Sequence, residues 1–345
     1  MRITVYFGTG GVGKTSVAAA TALARARAGL KCLVLTTDPA LRLRTALRLE
    51  DSTKEQLVLR DPGSGGELWA ALLDVRATLE EAVRATARPG EVDRILQHPI
   101  FGSIADSLSG MTELMAVERI DQLRRHGFEE IVVDTPPTRH ALEILDKPVL
   151  FAELAGSHWV RLIGRTYKFV ESTGMLALGR KTLDVYSRVE AMLGSTLVRQ
   201  VLDFYSIFLP VAEGYATRAQ KTVAMLKDPA ITEFRMVTNP QKALRDVGFF
   251  WDALHQRGFR LSQALVNRVW KPGPALPEGE GLARSVVEWY LDVQRDQSQR
   301  IAQLREAFPR APEVRLIGEL DRDVDGLEAL QMLVAHGVDP GPKQD

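Results

Sequence analysis

The segment Phe7-Gly8-Thr9-Gly10-Gly11-Val12-Gly13-Lys14-Thr15-Ser16 lies between a short apolar run and an alanine-rich one. The run before it, Ile3 to Phe7, contains β-branched side chains and predicts a buried strand. The run after it, Val17 to Ala26, predicts a helix because alanine has the highest helix propensity. This order of strand, glycine-rich loop and helix is the context that the P-loop motif requires.

The loop meets the spacing of the motif G-x-x-x-x-G-K-[ST] with Gly8, Gly13, Lys14 and Thr15. Glycines let backbone N–H groups converge on one point, where the helix N-terminus adds partial positive charge. Lys14 is expected to reach the terminal phosphates of a nucleotide and Thr15 to bind Mg²⁺. The alternative is a glycine-rich turn without a ligand. The loop residues predicted to bind the nucleotide are Gly8, Thr9, Gly10, Gly11, Val12, Gly13, Lys14, Thr15 and Ser16.

The composition excludes several classes of function. The 345 residues allow one large or two ordinary domains. Lys and Arg together number 44, as do Asp and Glu, so the formal net charge is zero. No general attraction for nucleic acid or anionic membranes is therefore indicated. Cys32 is the one cysteine, which excludes internal disulfides and a C-x-x-C zinc site within one chain. With no recognisable signal peptide and no membrane-span pattern, we expect a cytoplasmic protein without stable membrane insertion.

Two carboxylates follow predicted strands. Asp38 comes after the strand at 32–36, and Asp134 ends the strand at 130–134. Parallel α/β sheets bind ligands at the carboxyl ends of their strands. With a P-loop present, Asp134 is predicted to hold Mg²⁺, usually through water. Asp38 either acts on the attacking water or on Mg²⁺, or caps the turn before Pro39, and the residues alone leave both alternatives open.

The chain changes character at 151–227, where strand signals stop and helical spacing dominates. We interpret this stretch as an inserted helical subdomain within a nucleotide-binding domain formed by 1–150 and 228–345. Its apolar stripes either pack onto the core domain or form a surface for a client or partner. Pro210 is expected to kink or break a helix there. Elsewhere, alternating strands and helices predict a mostly parallel, doubly wound α/β sheet flanked by helices.

Three further motifs accompany the P-loop: T-D-P-A at Thr37 to Ala40, D-T-P-P-T-R-H at Asp134 to His140, and Val266-Asn267-Arg268. By itself, Asn267 at a strand end either reads a base edge or simply starts a loop. Together the motifs resemble the ArsA-like ATPases, which include the arsenite-pump ATPase and the eukaryotic ATPase that targets tail-anchored membrane proteins. The resemblance covers nearly the whole chain and favours this family over MinD and ParA.

The resemblance implies an ATP-driven conformational switch with ATP and Mg²⁺ as cofactors. It implies that Asp38 activates the hydrolytic water and that Asn267 contacts adenine. The predicted metal-binding residues are Thr15, Asp38 and Asp134. Family members work as two facing nucleotide domains, so a dimer with itself or with a paralogous subunit is expected. The helical insert is where the family carries its client-binding surface, which implies a protein client, hydrophobic clients included.

The sequence departs from the family pattern at one charged position. The family's signature lysine, which reaches across the dimer to the partner's phosphates, is Thr9 here. A missing cation removes transition-state stabilisation, so we expect slow hydrolysis unless Arg42 or Arg139 supplies the charge. The predicted catalytic residues are therefore Asp38, Lys14 and Arg139.

The leading hypothesis is a Mg²⁺-dependent ATPase whose cycle opens and closes a dimer and so controls a client or partner. The alternative is a low-turnover ATP-binding scaffold in a hetero-oligomeric assembly, which the threonine at position 9 keeps open. A metalloid pump subunit is not expected, because the arsenite pump binds metalloid with several cysteines and this chain has one. The chain also lacks the C-x-x-C zinc pair of the tail-anchor ATPase.

Overall fold

The computed structural model describes residues 1–38, 42–50, 54–107, 110–136, 139–156, 195–278, 280–309 and 312–338. Eight strands in these residues form one sheet. The strands are β1 (Arg2–Gly8), β2 (Lys31–Thr36), β3 (Gln56–Arg60), β4 (Glu67–Leu72), β5 (Glu130–Asp134), β6 (Thr232–Thr238), β7 (Leu261–Val269) and β8 (Glu313–Gly318).

Helices connect most of these strands. In the described residues they are α1 (Lys14–Arg27), α2 (Arg42–Leu47), α3 (Val75–Thr86), α4 (Val92–Leu96), α5 (Pro99–Ser107), α6 (Met111–Arg124), α7 (Glu143–Gly156), α8 (Ser195–Lys227), α9 (Ala243–Gln256), α10 (Leu282–Ala307) and α11 (Gly326–Ala335), with a short 3₁₀ helix at Arg139–Leu142. None of the helices that the structure describes has both the length and the apolarity needed to cross a bilayer.

The strand order is β3-β4-β2-β5-β1-β6-β7-β8. All neighbours are parallel except β3, which runs antiparallel to β4. The predicted mostly parallel α/β sheet is therefore confirmed. The chain passes from β1 to β2 on one side, whereas β6 pairs with the other side of β1. Such a change of direction opens a crevice at the carboxyl ends of the strands, and the P-loop begins there.

Helix α1 packs closely on the sheet because most of its side chains are small. Ala18, Ala19, Ala22 and Ala26 are fully buried, as is Leu23. Alanine side chains let the helix axis approach the strands, so the first turn of α1 sits directly beyond the end of β1. The alanine-rich run thus has a packing role as well as a high helix propensity.

The chain divides into two compact units. One consists of 1–73, 123–142 and 225–345 and contains the whole sheet. The other consists of 74–122 and 143–224 and is helical in its described residues. Residues 157–194 lie outside the described residues, so the client-binding insert predicted at 151–227 stays a prediction.

Polar contacts join α6 and α8 inside the helical unit. Glu118 is buried and accepts hydrogen bonds of 2.9 and 3.1 Å from the Nε of Arg218. The hydroxyl of Tyr215 donates to the carbonyl of Leu114 at 3.1 Å, and burial raises the pKa of this tyrosine. Helix α8 continues through Pro210 without the break that the sequence suggested as one outcome. We attribute this to tertiary packing, which outweighs the backbone hydrogen bond that proline removes.

Candidate functional site

The loop between β1 and α1 adopts a conformation that needs glycine at specific positions. Gly11 and Gly13 have φ values of 78° and 86°, in the left-handed region that side chains disfavour. A Cβ atom on Gly8 would lie 2.6 Å from the carbonyl oxygen of Val237, and one on Gly13 would overlap the amide of Asn267. Gly10 has a negative φ and no atom within 4 Å of such a Cβ. The backbone is therefore held tightly on the β6–β7 side and is open at Gly10.

Lys14, the first residue of α1, is buried with its charge matched. Its Nζ lies 3.1 Å from Oδ1 of Asp134 and also donates to the carbonyl of Thr135. Asp134 is fully buried at the end of β5, which pairs with β1. Two opposite charges buried together stabilise each other, whereas either one alone would be costly. The structure thus brings together two residues that the sequence predicted for one site.

The other carboxylate oxygen of Asp134 accepts two hydroxyl groups. Thr15 and Thr36 donate to Oδ2 at 2.8 and 3.0 Å. Hydroxyl and carboxylate oxygens are the ligands that Mg²⁺ prefers, with its remaining positions left to water and phosphate. Within the described part of the chain there is no group of three or more His, Cys, Asp or Glu that could cage a metal. The donor set therefore fits a metal bound jointly with a phosphate ligand.

Asp38 follows β2 and is buried beside this cluster. Its backbone N–H donates to the hydroxyl of Thr36 at 3.2 Å, and Thr37 donates its N–H to the carbonyl of Asp134 at 2.9 Å. Nη1 of Arg42 lies 4.0 Å from Oδ2 of Asp38. Residues 39–41 lie outside the described residues, as does the side chain of the predicted catalytic Arg139. The structure therefore places Asp38 at the same sheet edge as Asp134.

Thr9, which replaces the expected lysine, contacts a distant helix. Its hydroxyl donates to Oδ2 of Asp246 in α9 at 2.9 Å, and the Nε of Arg245 lies 3.3 Å from Oδ1 of the same carboxylate. Asp246 is buried. Sequence reasoning missed this acid because 237 residues separate it from Thr9 and no local motif marks it.

Asn267 reaches the P-loop from the neighbouring side of the sheet. Its Nδ2 donates to the carbonyl of Val12 at 2.8 Å, and the residue is buried. This contact fixes the loop from the strand β7 side, next to Gly13. The side chain of Asn267 is thus held against the P-loop, and its contact with adenine stays a prediction.

A pocket of about 380 Å³ opens over the P-loop, within the size range of small-molecule sites. Its walls come from the loop, from α2, from the last residues of β7 and from the region after β8. The lining residues are Thr9, Gly11, Val12, Gly13, Lys14, Thr15, Ser16, Arg42, Thr45, Ala46, Arg268 and Val324. The loop residues and Arg42 are recognisable from the sequence, whereas Arg268 and Val324 reach the pocket only through tertiary structure.

Comparison with known proteins gives consistent matches. The profile of the anion-transporting ATPase family matches residues 1–336. A protein of Aquifex aeolicus provisionally named arsenical pump-driving ATPase 1 is 24% identical over 99% of this chain and 81% of its own length. ATPase get3 of Schizosaccharomyces japonicus is 26% identical over 54% of this chain and 56% of its own. The arsenical pump-driving ATPase of Escherichia coli is 29% identical over 44% of this chain and 26% of its own.

Proposed function

The chain belongs to the anion-transporting ATPase family and is an ATPase, and from this premise we propose that it is a Mg²⁺-dependent dimeric switch. In this proposal ATP binding and hydrolysis control the binding of a protein client or partner. The observation that supports it best is that Lys14, Thr15, Thr36 and Asp134 meet in one buried cluster. This cluster joins the phosphate-binding loop to the segment that carries Asp38.

The P-loop side chains have distinct roles in the proposal. Phosphate oxygens lie against the N–H groups at the start of α1, and Lys14 exchanges its contact with Asp134 for a contact with phosphate. Mg²⁺ would be held by the Thr15 hydroxyl and, through water, by Asp134, and it would neutralise charge on the phosphates. Asp38 orients and deprotonates the attacking water.

The same cluster provides a physical route for switching. Asp134 contacts Lys14, Thr15 and Thr36 through its side chain and Thr37 through its carbonyl. When Lys14 binds a phosphate in place of Asp134, the hydrogen bonds of the Asp134 carboxylate redistribute. Because Thr36 also accepts a hydrogen bond from the backbone of Asp38, that redistribution reaches the segment that carries Asp38 directly.

Arg42 is the residue that we propose as the substitute for the missing lysine. It lines the pocket, and its guanidinium is exposed and 4.0 Å from Asp38. Arg139 is the second candidate. Arg42→Ala and Arg139→Ala are to be compared in an ATPase assay, with Arg48→Ala, an exposed arginine outside the pocket lining, as control. Wild-type turnover in both test variants would show that neither arginine replaces the charge of the missing lysine.

Phosphate release in the presence of Mg²⁺ and ATP tests the catalytic part. We expect Lys14→Ala to lose about 10²-fold or more in turnover, since it removes a preorganised cation from the transition state. Lys271→Ala, an exposed lysine, serves as control. Equal turnover in wild type and Lys14→Ala would contradict the proposed chemistry.

Light scattering after size-exclusion chromatography tests the dimer. Asp38→Asn is expected to bind ATP without hydrolysing it, so the mass in Mg²⁺ and ATP should be that of two chains. The mass of a single chain with ATP bound would contradict a homodimer. A dimer with a paralogous subunit would then be the remaining form of the proposal. Purification from native cells with ADP and aluminium fluoride then identifies the partner or client.

A low-turnover scaffold is the second candidate function. It is favoured by Thr9, because this position carries a lysine in the family and here carries an uncharged side chain that donates a hydrogen bond to Asp246. Tight ATP binding by wild type without measurable turnover would support it. In either case we propose a cytoplasmic protein that does not bind nucleic acid. We also propose that metalloid is not its ligand, because Cys32, the only cysteine of the sequence, is buried in β2.

A further inference from the structure

Arg268 has a backbone conformation that arginine rarely adopts. Its φ is 61°, and Arg48 is the other non-glycine residue with positive φ in the part of the chain that the structure describes. The conformation coincides with a β-bulge, because Val266 pairs with Leu316 and Val269 pairs with Gly318. One extra residue on β7 is thus accommodated between the two pairs. Strained positions and bulges of this kind concentrate at binding sites, where they re-aim a side chain.

Contacts on both sides hold this bulge in place. On one side, Asn267 donates its amide to the carbonyl of Val12 in the P-loop at 2.8 Å. On the other, the N–H of Trp270 donates to Oε1 of Gln297 in α10 at 3.1 Å. Contacts of both neighbours therefore fix the backbone of Arg268, and this residue lines the P-loop pocket.

The charge of Arg268 distinguishes it from the other cations that line the pocket. Lys14 lies 3.1 Å from Asp134, and Arg42 lies 4.0 Å from Asp38. Arg268 has no ion pair and no side-chain hydrogen bond among the residues that the structure describes, and it is an exposed residue of the pocket lining. A guanidinium without a carboxylate partner, at the edge of a pocket whose floor is a phosphate-binding loop, is suited to bind phosphate oxygens.

We propose that Arg268 is a nucleotide-binding residue whose guanidinium contacts the phosphates of the nucleotide held by the P-loop. The inference rests on the proposed function, since it needs a nucleotide at this loop. The proposal also accounts for the bulge in β7, because the extra residue directs Arg268 toward the pocket while Asn267 keeps its hydrogen bond to Val12. It also adds a positive charge to a site in which position 9 carries none.

Calorimetric titration of ATP and of inorganic tripolyphosphate tests the inference. The variants are Arg268→Gln and Arg268→Lys. Arg48→Gln is the matched control, because Arg48 has the same left-handed backbone, with φ of 52°, but does not line the pocket. Arg268→Gln should weaken both ligands about tenfold, as expected for loss of a charged hydrogen bond. Arg268→Lys should weaken them less, and Arg48→Gln should stay within about twofold of wild type.

Each result decides a specific point. Unchanged affinity of Arg268→Gln for both ligands overturns the inference while the proposed function stands. Weaker binding of ATP with unchanged binding of tripolyphosphate means that the arginine stacks on the base, which overturns the phosphate contact. Failure of wild type to bind ATP is instead a failure of the proposed function. Arg268→Asn, which tolerates the left-handed backbone, should unfold at the wild-type temperature or higher and still bind weakly, so misfolding cannot mimic the expected loss.

Discussion

The hydroxyl of Thr15 and the carboxylate of Asp134 lie 2.8 Å apart, although 119 residues separate them. Two adjacent parallel strands bring them together, because Tyr6 of β1 is in register with Asp134 of β5. The P-loop, which follows β1, and Asp134, which ends β5, therefore lie at the same edge of the sheet. This contact is the structural basis for the proposed use of Mg²⁺.

Asp134→Asn should lower Mg²⁺-ATPase turnover about 10²-fold or more, because the amide cannot supply the negative charge that holds the metal. ATP binding measured in EDTA should change far less, since the backbone amides of the P-loop remain. Asp292→Asn, at an exposed position in α10, is the control. Turnover within a few-fold of wild type would argue against this role for Asp134.

The buried pair of Lys14 and Asp134 makes a prediction about stability. Asp134→Leu leaves a buried ammonium without its carboxylate and should lower the free energy of unfolding by about 3–5 kcal/mol. The double variant Lys14→Met with Asp134→Leu should recover part of that loss, because no unpaired charge remains. Urea unfolding without nucleotide measures both. Equal stability of the single and double variants would show that the charges do not interact.

Two glycines of the P-loop should respond differently to alanine. Gly13→Ala should destabilise the protein without nucleotide by roughly 1–2 kcal/mol or more, because its φ is 86° and the new methyl would overlap Asn267. Gly10→Ala should be nearly neutral, since its surroundings are open. Thermal unfolding compares them. Similar losses in both variants would mean that the loop is not held as described.

Asn267 should contribute to both stability and base preference. Asn267→Ala removes the hydrogen bond to Val12 and should lower the free energy of unfolding by about 1 kcal/mol. If the side chain also contacts adenine, the preference for ATP over GTP should decrease in competition binding. A stability loss with unchanged base preference would restrict Asn267 to supporting the loop.

Thr9→Val should remove the side-chain hydrogen bond between the P-loop and α9. It removes a hydrogen bond to the buried carboxyl group of Asp246 and should lower the free energy of unfolding by about 1–3 kcal/mol. Thr9→Ser keeps the hydroxyl and is the matched control. Chemical denaturation of both variants measures the effect, and equal stability of the valine and serine variants would dismiss the contact.

The main site residues were predictable because local patterns mark them. A glycine-rich loop between strand and helix, and an acid at the end of a β-branched strand, are visible within a few residues each. Their meeting follows from a general rule, since the carboxyl ends of parallel strands share one edge. The sequence therefore predicts that Lys14, Thr15 and Asp134 belong to one site, as their contacts show.

Other features depend on pairing that no short window contains. The contact of Thr9 with Asp246 joins residues 237 positions apart. The orientation of Arg268 depends on the register between β7 and β8. Strand β3 escaped prediction because it is a half-exposed edge strand of five residues between two loops. In each case tertiary structure, and not local propensity, determines the outcome.

A crystal structure obtained with Mg²⁺ and ATP tests the central claim most directly. The account predicts a triphosphate against the backbone of the P-loop, with Lys14 on phosphate oxygens and Mg²⁺ on the Thr15 side. A loop that contains no nucleotide, with Lys14 still bound to Asp134, would contradict it.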